Sequence, residues 1–444
     1  MPGRGSEAEL DELLASLEAG QLREIVRSAA ERHEDVERQI RLIVARTTGD
    51  LTQLRAEVDR GLRTRRFLGY REGMEWARTA RPILAELEKA VDSAPSRELV
   101  ELLQRAISHV IKVIHRADDS SGLIGGLARD LLELHARACD ASVADPARLA
   151  AWMIRFRFTD QDFFEPDPVR YRTALGERGL AAYRTAVAAQ RDQNAFAARY
   201  ARERLAIIDG DSDQIVTLLG GDLTQPHQYI AVAEAMAELG RDDELLAWAL
   251  RGIERTSGRQ TGRLYDLACD TYTRRAAPLE VLALRRAQHE RSPTSSTYSE
   301  LRAAAETLHT WPHECAAARQ ALRRDPGGLI DALLAEGDTD LAWHTATSTP
   351  ENELGTHRWL RLAEARQAEH PADALPVYWR AIEESLTTAD RRAYAQALRI
   401  LKRARTAATT AHQDQAFADK LAALRETHRR RPTLITMLNK AALD

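Results

Sequence analysis

Apolar residues recur at every third or fourth position along nearly the whole chain, the spacing that gathers side chains on one face of an α-helix. In SEAELDELLASLEAG, Leu10, Leu13, Leu14 and Leu17 keep that spacing. Ser6 and Glu9 read there as a capping box and Gly20 as a helix stop. LRTRRFLGYREGMEWARTARPILAELEKAVDSAP reads as one long amphipathic stretch with a kink expected at Pro82. SRELVELLQRAISHVIKVIHRADDSSG, LIGGLARDLLELHARACD and DPARLAAWMIRFRF follow as further helices. No run alternates apolar and polar residues convincingly, and no Asn-Gly or Asp-Gly hairpin joins two such runs. The pattern predicts an all-α chain.

In the second half the pattern repeats. First helices of hairpins are expected near Tyr229, Arg263, Thr297, Leu329, His357 and Thr388, spaced about 28–34 residues apart, the period of tetratricopeptide-like helix–turn–helix units. In HPADALPVYWRAIEE, Ala374, Tyr378 and Ala381 take the small, aromatic and small positions that let neighbouring helices approach closely. Gly240 and Pro278, Pro293, Pro312, Pro326, Pro350 and Pro371 punctuate the periodic segments. A single hairpin cannot bury its apolar face, so the units must stack as an α-solenoid. An N-terminal helical domain is expected over 1–155 and a TPR-like array of helical hairpins over 156–444.

Composition narrows the function. With 63 basic against 67 acidic residues the net charge is −4, which argues against a protein whose main task is to coat nucleic acid. Three scattered cysteines without a CxxC pair imply a reducing compartment. With no long apolar run for a signal peptide or a membrane span, a cytoplasmic location and no membrane partner are expected.

The candidate chemistry lies in turns. RFRFTDQDFFEPDPVRY, residues 155–171, carries Asp160, Asp162, Glu165 and Asp167. Counted from Asp160 as a calcium loop, Phe164 takes the fifth position, Glu165 the sixth and Tyr171 the twelfth, so the motif fails. An inter-helix joint is expected instead. In it Asp160 or Asp162 caps a helix, Phe163 and Phe164 plug the core, and Pro166 and Pro168 stop the helix. Asp209, Asp211 and Asp213 hold calcium-loop spacing too, but Gln214 and Gly220 take the places of the glycine and glutamate, so a cap at Asp211 or Ser212 is expected.

HRADDSSGLIGG offers His115, Asp118, Asp119, Ser120, Ser121 and Gly122, without a GxSxG elbow or a phosphate-loop pattern. A capped tight turn is expected, with Gly125 and Gly126 allowing close helix contact. His135 with Cys139, and His313 with Cys315, are incomplete ligand pairs, and the former is expected to be a surface histidine beside a buried thiol. No cofactor or metal is expected. Basic clusters occur at Arg60, Arg63, Arg65, Arg66 and Arg71, and at Arg425, Arg429, Arg430 and Arg431. Solvated helix faces account for both, and the first is also suited to phosphate or to an acidic partner.

Three phrases, RTRRFLGYREGMEWARTARPILAELE, HRADDSSGLIGGLARDLLELHARAC and RFRFTDQDFFEPDPVRY…LGERGLAAYR, resemble the helical region that follows the zinc finger in bacterial SWIM zinc-finger proteins. The tail LRETHRRRPTLITMLNKA is similar to the end of those proteins. The resemblance implies a helical body whose family binds DNA or protein partners through a CxC…CxH finger, in some cases beside helicase-like ATPases. This chain has neither CxC nor CxH, so no zinc ligand carries over.

The expectation is a non-enzymatic scaffold or adaptor with a protein partner and no catalytic residue. Its candidate contacts are Arg63, Arg66, Tyr70, Asp118, Asp119, Ser120, Asp160, Asp162 and Glu165. The alternatives are a nucleic-acid-associated protein acting with a helicase-like ATPase, through a basic helix over 60–71, and a metal-assisted hydrolase built on the acidic loops.

Overall fold

In the computed structural model, which describes residues 12–141, 144–193, 195–350 and 353–441, the chain is all-α, with no strand among the described residues. It forms two compact units, Met1–Asp222 and Leu223–Asp444. The expected boundary at 155/156 thus falls inside the first unit. The reason is burial: Phe156, Tyr171, Leu175, Tyr183 and Val187 share one apolar core with the helices before them.

Unit 1 contains α1 (Ala19–Arg32), α2 (Glu34–Thr47), α3 (Leu51–Leu62), α4 (Tyr70–Ser93), α5 (Arg97–Ile114), α6 (Leu123–Ala141), α7 (Pro146–Arg155), α8 (Arg172–Ala188), α9 (Phe196–Asp209) and the short α10 (Ser212–Ile215). The most deeply embedded is α5, which buries Leu99, Leu103, Ala106, Ile107 and Val110. Ser6, Glu9 and Leu10 lie outside the described residues. Gly20 does not stop a helix. It sits in the first turn of α1, and the preceding turn already closes at Ser16, whose hydroxyl donates to the Leu13 carbonyl at 2.7 Å.

Nor does the long amphipathic stretch stay helical throughout. It breaks over residues 63–69, then runs unbroken across Pro82, whose ring is exposed. Gly176, with φ of 50°, lets the chain bend inside α8.

Unit 2 contains α11 (Pro226–Glu238), α12 (Asp242–Arg255), α13 (Thr261–Arg274), α14 (Pro278–Arg291), α15 (Ser295–Thr307), α16 (Trp311–Ala321), α17 (Pro326–Glu336), α18 (Thr339–Thr347), α19 (Thr356–Arg366), α20 (Pro371–Ser385), α21 (Arg391–Thr410), α22 (Asp414–Thr427) and α23 (Pro432–Lys440). The first helices of the six expected hairpins start within three residues of their expected positions. Successive helices pack on each other, and many also touch the next but one, as in a stacked helical-repeat solenoid. Ala374, Tyr378 and Ala381 are all buried in α20. Pro278, Pro326 and Pro371 open their helices at the first turn, where a missing N–H costs no helical bond.

One turn design recurs in both units. Gly49, Gly210, Gly240, Ala276, His309, Gly337 and His412 adopt φ from 54° to 79°. In each case the next residue donates its N–H to the carbonyl five positions back, as Asp338 does to Leu333. Only four of the seven are glycine, so the repeat is carried by backbone geometry more than by residue identity. Ala276 and His309 hold this left-handed conformation at an intrinsic cost of about 1–2 kcal/mol, and both are exposed. Ala276→Gly combined with His309→Gly should therefore raise stability by about 1 kcal/mol in urea unfolding, since glycine's extra chain entropy offsets part of the relief. A loss of stability would contradict this account of the turns.

His135 is wholly buried, contrary to the surface position expected for it. The Gln104 side-chain amide donates to its Nε2 at 3.2 Å, its Nδ1–H donates to the Tyr171 hydroxyl at 2.9 Å, and that hydroxyl donates to the Leu132 carbonyl at 3.1 Å. Trp152 packs on the ring at 4.3 Å, and burial raises the Cys139 thiol beside it to about 12. Such a chain requires a neutral imidazole, and burial lowers the His135 pKa from 6.5 to about 3.

Between these two values the unfolded chain binds more protons than the folded one. Stability therefore falls as the pH drops through that window, by up to about 1.4 kcal/mol per pH unit, and the effect is absent above it. Urea titrations of His135→Leu should show a shallower decline across that window than the wild type. Parallel curves would contradict the buried neutral histidine.

Candidate anion-binding cleft

The break over residues 63–69 builds the most charged site in unit 1. After α3 the chain is extended, and Leu68 fastens it. The Leu68 N–H donates to the Arg116 carbonyl at 2.8 Å, and its own carbonyl accepts from the Asp118 N–H at 2.9 Å. This forms an isolated parallel bridge to Ala117, with the Leu68 side chain 2% exposed. Burying that leucine contributes about 1.5–3 kcal/mol, so the basic segment is held against the end of α5.

The other wall is α5. Arg105, His109 and Lys112 recur at i, i+4 and i+7, which places them on one face, and Arg116 follows in the turn just past the end of the helix. Asp59 of α3 braces that face. It accepts from Arg105 Nε at 2.5 Å, from Arg105 Nη2 at 2.7 Å and from His109 Nε2 at 2.8 Å. The Arg105 hydrogen bonds, aided by His109, hold the Asp59 carboxyl down to about 2. Burial lowers the His109 pKa, so at pH 7 the ring is neutral and its Nε2–H donates to Asp59. Arg60 is paired with Glu57.

Together Asp59, Arg60, Arg63, Thr64, Arg65, Arg105, His109, Lys112 and Arg116 line a cleft of about 610 Å³. Among the described residues no acidic side chain pairs with Arg63, Arg65, Lys112 or Arg116. The C-terminal carbonyls of α5 partly offset this positive charge at Lys112 and Arg116.

The candidate residues from sequence fall into three groups. Arg63 lines the cleft, Arg66 reaches Glu72 at 3.3 Å, and Tyr70 is exposed at the first residue of α4. Of the basic residues expected on one helix, Arg63, Arg65 and Arg66 therefore occupy an extended linker, while Arg60 lies in the last turn of α3 and Arg71 in the first turn of α4. Asp118, Asp119 and Ser120 form the turn beyond the Leu68 bridge. Asp118 accepts from the Ser120 N–H at 3.1 Å and from its hydroxyl, while Asp119 caps α6 through the N–H groups of Ile124 at 3.0 Å and Gly125 at 2.8 Å. A Cβ on Gly125 would crowd the Asp119 carboxylate at 3.3 Å, whereas Gly126 has open space.

The loop after α7 is knit by Gln161. Its amide nitrogen donates to the carbonyls of Phe156 and Phe164, and its amide oxygen accepts from the N–H groups of Phe163 and Phe164. The segment just before it, Phe156–Asp160, is a π-helical turn. Asp160 ends the π-helical turn 3.8 Å from Arg155, and the next helix, α8, has Tyr171 at its N-cap, so neither Asp160 nor Asp162 is the helix cap expected of it. Glu165 takes Arg157 on both oxygens at 2.5 Å, and burial raises its pKa. Asp167 is gripped by Arg204 at 2.8 and 2.6 Å. Phe164 packs on the core as expected, but Phe163 is 57% exposed and lies against the His115 ring at 5.2 Å. His115 thus serves a ring contact.

Elsewhere Asp211 caps α10 through the Gln214 N–H at 3.0 Å, as expected. In the second basic cluster Arg431 donates to the Leu386 carbonyl at 2.6 Å, Arg425 to Asn439 at 2.9 Å, and Arg429 pairs with Glu426. Sequence reading missed Asp59, Arg105, His109, Lys112 and Arg116. The available signal was the basic stripe along α5 and into the turn after it. No cluster of three or more His, Cys, Asp or Glu side chains able to hold a metal occurs among the described residues.

No protein-family model matches the chain, and no curated protein matches it. Among solved structures it is similar to a circular tandem repeat protein with novel repeat topology and enhanced subunit contact surfaces, at 15% identity, covering 91% of this chain and 95% of that one, with a TM-score of 0.20. The helical-repeat class therefore rests on the chain's own helices and turns. No helix among the described residues is long and apolar enough to cross a membrane.

The brace can be tested alone. Asp59→Ala removes three hydrogen bonds to one carboxylate and should destabilise the protein by about 2 kcal/mol in urea unfolding, the partial exposure of the site keeping the loss modest. An unchanged midpoint would show that Asp59 does not hold the cleft wall.

Proposed function

We propose that this protein is a non-enzymatic helical scaffold that grips a macromolecular polyanion in the basic cleft of unit 1. One observation carries the reading: Arg63, Arg65, Lys112 and Arg116 line a single cleft while no acidic side chain among the described residues neutralises them. Like charges set this close repel one another, and a line of phosphates or carboxylates would relieve the repulsion while pairing with the forked arginine donors. The protein partner expected from the sequence is then one whose contact segment is acidic or phosphorylated. A nucleic acid meets the same requirement of charge, and so fits the role beside a helicase-like ATPase that the SWIM-protein resemblance implies. Asp118 and Asp119 act in this reading as the turn that positions the cleft, and the contacts themselves come from the cations.

Retention on immobilised heparin tests the reading. Arg63→Glu with Lys112→Glu should elute at markedly lower salt than the wild type. Arg399→Glu with Arg430→Glu, which alters net charge equally at exposed positions of unit 2, should elute much later than the cleft variant. Equal elution of the two variants would refute the cleft as the binding surface.

A further inference from the structure

The linker that brings Arg63 and Arg65 to the cleft also leads into two exposed rings that charge alone does not explain. Phe67 is 68% exposed and Tyr70 48% exposed, on either side of the buried Leu68 and the half-buried Gly69. The linker therefore turns one apolar side chain into the core and leaves the two rings in water. Phe163 joins them at the same end of α5, its ring against His115, the residue before Arg116. Aromatics are only 5% of the chain, and of the four exposed phenylalanine and tyrosine side chains among the described residues two flank the Leu68 bridge and a third lies against His115, the sequence neighbour of Arg116. Exposed rings beside a groove of unpaired cations make a platform on which flat bases stack while phosphates follow the charge.

Resting on the polyanion reading above, we infer that the occupant of the cleft is a single strand of nucleic acid, its bases stacked on Phe67 and Tyr70 and its phosphates set along Arg63, Arg65, Lys112 and Arg116. Paired bases keep their faces inside the duplex and cannot reach the rings. An acidic peptide supplies the charge but no face to stack. Four neutralised phosphates give a slope of about −3 for log affinity against log salt on a single strand.

Fluorescence anisotropy at low salt, on the full chain, decides the matter with four labelled probes: oligodeoxyuridylate, oligouridylate, a DNA duplex of the same length and polyglutamate of matched charge. The single strands should bind more tightly than the duplex and the polyglutamate, and the preference between the first two identifies the sugar. Phe67→Ala with Tyr70→Ala should weaken single-strand binding about tenfold or more and leave polyglutamate unchanged. Both side chains are exposed, so this variant should keep its fold, and circular dichroism checks that. Arg63→Glu with Lys112→Glu should weaken every probe. Polyglutamate or duplex binding as tight as single-strand binding, or an aromatic variant that binds single strands as the wild type does, would overturn the single-strand assignment while leaving the polyanion reading in place. Failure of all four probes to bind would overturn both.

Discussion

The bridge at Leu68 is the constraint on which the candidate site depends. Two backbone hydrogen bonds and one buried leucine hold an extended, strongly basic segment against the end of α5. Without that attachment Arg63 and Arg65 would be solvated side chains on a loose connection, and Lys112 and Arg116 would be ordinary helix-end cations. With it, charges from two separate segments face one cleft. The Asp59 carboxylate acts at a second point, joining α3 to α5 and taking Arg105 and His109 into an internal pair, so the remaining cations are left for a partner.

Carboxylates in this protein mostly act on the chain itself. Asp118 and Asp119 shape a turn, Asp211 caps a short helix, and Glu165 and Asp167 each bind an arginine. Charged groups that look like catalytic candidates in a sequence are here satisfied by nearby N–H groups or guanidiniums, as partly buried polar groups must be. The cleft's cations differ in being left unmatched, and so they carry the functional argument.

Much of the architecture was legible in the sequence because helices and their ends are local. The six hairpin starts, the buried Ala374, Tyr378 and Ala381, and the Asp211 cap all follow from spacing within a few residues. Three features were not legible. The break at 63–69 hides inside a helix-like pattern, since its Arg63, Arg65, Arg66 and Leu68 favour helix whether or not Leu68 finds a tertiary bond. His135 seemed suited to the surface because its partners, Gln104 and Tyr171, lie 31 and 36 residues away. The repeat looked degenerate because its constant element is a left-handed turn that Ala276, His309 and His412 adopt without glycine. Of the site itself, the basic linker was visible and the α5 stripe was present but unread. Their meeting depends on the fold.

Hydrogen–deuterium exchange of the intact protein with and without a heparin fragment tests the central claim most directly. The account predicts added protection confined to residues 60–71 and 112–118, with the cluster at 425–431 unchanged. Protection centred on 425–431, or none in the 60–71 segment when heparin is bound, would contradict it.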